Sequence, residues 1–192
     1  MKVGDAAPNF EAVDTSLKSV TLADTGDGVR IFSVVPSLDT PVCDLQTKKF
    51  NEEATKLPNV KIYTISMDLP FAMKRWCGAM GVDNLVMLSD HRSGSFGSAY
   101  RTLIEDLRIP SRAIFVIDGN NIIRHAEYVG EVADHPNYDA ALKMADNWAK
   151  NDKDLAPQLD KKGVDTAYFV PTIGAPAPLV SECAWSFAVT HG

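Results

Sequence analysis

Two short apolar runs with a helix-like segment between them constrain this chain most. "VRIFSVVP", Val29 to Pro36, reads as a buried strand, rich in β-branched residues and closed by proline. "DTPVCDLQTKKFNEEATKL" then reads as a helix. Asp39 or Thr40 can cap it, Pro41 suits the first helical position, and Leu45, Phe50, Ala54 and Leu57 make a rough apolar stripe. "VKIYTISMD", Val60 to Asp68, is the next strand, and "LPFAMKRWCGAMG" the next helix, with Pro70 near its start and Gly81 at its end. A chain that alternates in this way buries its strands in a sheet and covers the sheet with helices.

The pattern continues with a short strand in "NLVMLSD" and a short helix in "SGSFGSAYRTL". "RAIFVIDGNNIIRHAEYVG" reads as a hairpin, two apolar strands joined across "DGNN". "NYDAALKMADNWAK", Asn137 to Lys150, is the last helix expected. The order predicts an α/β domain over residues 1–150, a mixed central sheet flanked by helices, resembling the thioredoxin-like layout. From about Asn151 the sequence turns polar and charged, "NDKDLAPQLDKKGVD", and reads as a linker or loosely ordered segment. An apolar, proline-rich tail completes a C-terminal extension over 151–192, with "AWSFAVT" as a short strand at most.

Composition narrows the function. The 192 residues are 45% hydrophobic, enough for one domain with a real core and hardly enough for two. A net charge of -6 with no basic block argues against nucleic acid as a partner. "MKVGDAAPNF" carries no apolar leader, so the expected location is cytoplasmic. Tyr168 to Val189 is long and nearly uncharged, but Pro171, Pro176 and Pro178 interrupt it, so no membrane span is expected. The three cysteines, Cys43, Cys77 and Cys183, are an odd count in such a chain; they argue for thiols that react or are buried, not for a disulfide framework.

Cys43 stands where a strand ends and a helix begins. With Pro41 at the first helical position it falls in the first turn, where unpaired N–H groups and the helix dipole favour an anion. Thr40 is one helical turn away, and Pro36 and Pro41 stiffen the loop. A thiol after a buried strand is as readily a small core hydrophobe. On these residues alone, nucleophile and core residue both stand. A metal site is disfavoured, since no second cysteine or histidine lies at ligand spacing from Cys43 and the four histidines are scattered. A dithiol pair is disfavoured too, because Thr40 occupies the place of a second cysteine.

"PSLDTPVCDLQTKKFNEEA" is similar to the active-site segment of the thiol peroxidases, the atypical two-cysteine peroxiredoxins. The likeness runs on through "SMDLPFAMKRWCGAMGVDNLVMLSDHRSGSFGSAY", "SRAIFVID", "AEYVGEV" and "PNYDAAL", covering about Lys2 to Lys150 in the family's order. By this resemblance Cys43 is the peroxidatic cysteine, Thr40 the threonine of its TxxC motif, and Pro36 the proline that opens the loop. Arg112 matches the arginine that approaches the thiolate, and Cys77 the resolving cysteine. Taken alone, Arg112 would read as a surface charge and Cys77 as a core thiol.

The resemblance implies a peroxidase that reduces hydrogen peroxide and organic hydroperoxides. A Cys43 sulfenic acid would condense with Cys77, and thioredoxin would reduce the resulting disulfide. It implies a homodimer and no metal, flavin, haem or other cofactor. The same chemistry could serve a peroxide sensor or redox relay that oxidises a partner protein; a non-catalytic binding module fits the retained residues poorly. Two departures stand out. The family usually begins with a hairpin before the stretch that "KVGDAAPNF" matches, where this sequence starts, and residues 151–192 continue past the family's usual end. That extension could cover the surface the hairpin would protect, dock a partner, or carry no evolved fold. Cys183 within it reads as non-catalytic.

Overall fold

The computed structural model describes residues 1–131 and 133–162, with side chains placed through 151. The chain divides into two units, Met1–Leu155 and Ala156–Gly192.

Among the described residues, nine strands and four α-helices follow in order: β1 (Glu11–Asp14), β2 (Ser19–Thr21), β3 (Val29–Val34), α1 (Pro41–Ala54), β4 (Val60–Ser66), α2 (Pro70–Met80), β5 (Val86–Ser89), α3 (Ser95–Ala99), β6 (Leu103–Ile104), β7 (Ile109–Pro110), β8 (Ala113–Ile117), β9 (Ile123–Tyr128) and α4 (Tyr138–Lys162). Seven strands form one sheet in the order β2-β1-β5-β4-β3-β8-β9, while β6 and β7 pair with each other. β3, β4 and β5 are parallel; β1 and β8 join them antiparallel. The expected mixed sheet with flanking helices is what forms. The expected hairpin is β8–β9, whose turn is held by Asp118 Oδ1, an acceptor for the N–H groups of Asn120 and Ile122, both at 2.9 Å.

The central strands are buried on both faces, which explains their continuous apolar sequence. Alternate residues serve different clusters, as the two-residue period of a strand requires. Phe32 and Val34 of β3, Tyr63 and Ile65 of β4, and Phe115 of β8 meet Phe10, Phe96 and Tyr100 in one cluster. Ile31, Ile62, Ile114 and Val116 meet Phe50 of α1 and Ala141, Ala145 and Ala149 of α4 in another. Those alanines recur every fourth residue, giving α4 a flat face to lay against the sheet.

Helix boundaries follow local chemistry. Pro41 and Pro70 open α1 and α2 where no backbone N–H is needed. Gly81 closes α2 at φ 64°, a left-handed conformation that glycine adopts without strain. One expectation is corrected. Residues 151–162, read as linker or loose chain, continue helix α4 to Lys162. Charged residues, Leu155, Ala156 and Gln158 favour helix, and no glycine interrupts before Gly163. The readings made for the tail, including "AWSFAVT" and Cys183, lie outside the described residues. No described helix is long and apolar enough to cross a membrane.

Phe32 is fully buried and makes edge contacts with Phe10, Tyr63, Phe96 and Tyr100 at centroid distances of 5.6 to 5.9 Å. Phe32→Ala should therefore lower unfolding stability by about 4 kcal/mol. Urea denaturation would register this as a lower midpoint at unchanged slope.

Candidate active site

β3 ends at Val34, although the Val35 N–H still reaches the Ile65 carbonyl of β4 at 3.0 Å. Buried Pro36 has no N–H to extend the ladder, so the chain leaves the sheet there. Residues 36–40 form a loop at the end of β3. Thr40, extended at φ -112° and ψ 146°, is the N-cap residue of α1. Its hydroxyl donates to the Ser37 carbonyl at 3.0 Å instead of capping the helix. The first helical hydrogen bond runs from the Asp44 N–H to the Thr40 carbonyl at 2.9 Å. The N–H groups of Val42 and Cys43 precede it and have no carbonyl within the helix to meet.

Cys43, at 0% exposure, points inward from that first turn. Arg112 Nη2 donates to its Sγ at 3.3 Å. The strand register brings them together: Ala113 of β8 pairs with Val34 of β3, so Arg112, one residue before, arrives beside the start of the loop. Arg112 is itself buried. Its Nη1 donates to Gln46 Oε1 at 2.7 Å, and Gln46 Nε2 donates to Ser33 Oγ at 2.8 Å. Gln46 lies three residues after Cys43, on the same face of α1. It thus links β3, α1 and the guanidinium.

Cys77, in the last turns of α2, packs against the cluster that contains Cys43, with Leu38, Met73, Trp76, Val82 and Met87. Both thiols are free. Burial pushes the Cys77 thiol above the ordinary cysteine range. Cys77 also lines an open surface cleft with Lys74, Asp83 and Met87. Of the residues singled out in the sequence, Cys43 and Arg112 are in contact, Pro36 and Thr40 frame the loop, and Cys77 shares the apolar cluster. Gln46, Ser33 and Asp68, whose carboxylate meets the loop, were not anticipated. Spacing from Cys43 could have suggested Gln46; the other two join the site only through the packing of the sheet.

A Redoxin family model matches residues 2–142. The chain is 52% identical over 145 residues to a thiol peroxidase of Bacillus subtilis, covering 76% of this chain and 87% of that protein. It is 54% identical over 141 residues to a thiol peroxidase of Oceanobacillus iheyensis, covering 73% and 86%. The chain belongs to the thiol peroxidase family of peroxiredoxins. Among solved structures, a peroxiredoxin-like protein from Aquifex aeolicus superposes with a TM-score of 0.72 at 36% identity, covering 77% of this chain and 88% of that one. A thiol peroxidase from Chromobacterium violaceum shares the fold with a TM-score of 0.71 at 22% identity, covering 79% and 89%. The chain is therefore a peroxiredoxin enzyme with a thioredoxin-like fold, as its motifs implied.

The raised Cys77 thiol has a measurable consequence. Only the thiolate alkylates, so a group held above its usual range reacts slowly at neutral pH and faster as pH rises. In a Cys43→Ser protein, iodoacetamide should label Cys77 several-fold more slowly at pH 7 when folded than in urea. The gap should narrow as pH rises. Peptide mass mapping, which separates Cys77 from Cys183, reads this directly.

Proposed function

We propose that the chain reduces hydrogen peroxide and organic hydroperoxides through a two-thiol cycle at Cys43 and Cys77. The observation that carries this reading is the buried Arg112–Cys43 hydrogen bond at 3.3 Å, in an apolar cluster that Cys77 also joins. A guanidinium aimed at sulfur suits an anionic nucleophile better than a packing residue. The Cys43 thiolate attacks the terminal oxygen of the hydroperoxide in line with the O–O bond. That bond breaks, the leaving oxygen takes a proton and departs as alcohol or water, and Cys43 becomes a sulfenic acid.

Charge develops on the leaving oxygen in the transition state. Arg112, the first-turn N–H groups and the Thr40 hydroxyl are the donors at hand, the last by turning from the Ser37 carbonyl. Pro36 keeps the loop off the sheet so that these groups converge. Cys77 then condenses with the sulfenic acid, releasing water and forming a disulfide. A disulfide requires Cα atoms within about 7 Å. Cys43 is buried in the apolar cluster against which Cys77 packs, and in this reading the first turn of α1 and the end of α2 open so that sulfur meets sulfur. Gly78 and Gly81 ease that opening. An external dithiol, thioredoxin by family resemblance, reduces the disulfide and is itself oxidised.

The reading extends to assembly and location. Leu45 is 54% exposed and Phe71 67% exposed, in the opening turns of the two cysteine-bearing helices. Such apolar exposure beside the loop supports a homodimer through this face; mass measurement in solution tests it. A thioredoxin-reduced cycle suits the cytoplasm.

Stopped-flow peroxide consumption coupled to thioredoxin tests the cycle. Cys43→Ser should abolish turnover, and retention of normal activity would sink the reading. Cys77→Ser should permit one oxidation per subunit and then stall. A dominant mixed disulfide of that variant with a protein other than thioredoxin would favour the relay instead. In the same assay Arg112→Met should slow the first oxidation by about 10²-fold, the loss typical of one transition-state donor.

A further inference from the structure

One carboxylate joins the approaches to both cysteine-bearing helices. Asp68 lies just past β4 and two residues before Pro70 of α2. Its Oδ1 accepts from the Ser37 hydroxyl at 2.8 Å. Its Oδ2 accepts from the Leu38 backbone N–H at 2.7 Å and the Ser66 hydroxyl at 2.8 Å. The Asp68 carbonyl accepts from the Ser89 hydroxyl at 2.5 Å, which ties the same residue to β5.

Ser37 carries the hold onward. Its carbonyl accepts both the N–H of Thr40, at 3.2 Å, and the Thr40 hydroxyl, at 3.0 Å. Thr40 in turn begins the helix that presents Cys43. Leu38, pinned at its amide, is buried in the cluster with Cys43, Met73 and Trp76. Asp68 therefore holds both the backbone that leads to Cys43 and a residue of the apolar cluster that contains Cys43 and that Cys77 packs against.

We propose that Asp68 is a positioning residue that sets the balance between the closed arrangement, where Cys43 meets Arg112, and an opened one, where Cys43 reaches Cys77. The proposal rests on the two-thiol cycle above. Hydrogen bonds to an ionised carboxylate are stronger than neutral ones, and a carboxylate accepts without needing to donate. While Ser37 and Leu38 stay bonded to it, the first turn of α1 stays in place. That favours the first oxidation. It also exposes the sulfenic acid to a second hydroperoxide, which would oxidise it to sulfinic acid and leave as alcohol or water. Releasing the clamp favours condensation with Cys77, which yields the disulfide and water.

The test compares the full-length chain with Asp68→Asn and Ser37→Ala, each reduced, freed of reductant and exposed once to graded hydrogen peroxide. Asparagine keeps the shape but presents N–H groups where donors need an acceptor. Intact mass reports the peroxide dose at which half of the chain carries sulfinic acid. That dose should rise on the order of tenfold in Asp68→Asn, while stopped flow shows a slower first oxidation. Ser37→Ala should move both in the same direction with Asp68 intact, and the double variant should add little; Ser37→Ala decides the matter if Asp68→Asn fails to fold. A merely structural role would lower the thermal midpoint and leave the dose where it was. An unmoved or lowered dose overturns the proposal alone. A wild-type chain that forms neither disulfide nor sulfinic acid overturns the underlying cycle, and the proposal with it.

Discussion

The buried guanidinium of Arg112 is the constraint on which the site depends. A charge removed from water is costly unless well-placed partners meet it. Two of its partners come from α1, where Gln46 Oε1 and Cys43 Sγ lie at 2.7 and 3.3 Å. Gln46 is in turn held by Ser33 of β3. Both the β3–β8 register and the seating of α1 on the sheet must be correct for these bonds to exist. A slip of one residue in that register would turn each side chain of β8 to the opposite face and carry Arg112 away from the sulfur. Fold and candidate site are therefore specified by the same contacts.

In the proposed cycle the two thiols impose opposite demands: Cys43 reacts with peroxide beside Arg112, then leaves that seat to bond with Cys77. Met73 and Trp76 pack on the inner face of α2, while Cys77 borders an open cleft from the same helix. Proline starts both helices and a left-handed glycine ends α2. Such ends can open while the central sheet keeps its pairing, since most of its apolar side chains lie in two other clusters.

Much of the architecture was legible because the signals were local. The run from Val29 to Pro36 is apolar at nearly every position since both faces of β3 are covered, and Pro36 ends it by lacking an N–H. Pro41, Pro70 and Gly81 mark helix ends through backbone chemistry that needs no tertiary information. The extension of α4 through 151–162 was missed because polar, charged composition suggested loose chain, while helix-forming residues without a glycine carried it on past Pro157. Thr40 was legible as one of two cap candidates, with Asp39, but its hydroxyl turned to Ser37, a preference set by the loop around it.

By itself the sequence determined the order of elements from β3 to α3 and from β8 to α4, their boundaries at proline and glycine, and the placing of Cys43 in a helix's first turn; β1, β2, β6 and β7 carried no such signal. It left that thiol poised between nucleophile and core residue, because its local surroundings suit either. Family resemblance supplied Arg112 and Cys77 as partners. Only the tertiary structure decided that Arg112 touches the sulfur, that Gln46 and Ser33 orient it, and that Asp68 grips the loop. Those contacts join residues 13 to 69 positions apart, and such distances close only when strands pair in register and helices settle on the sheet.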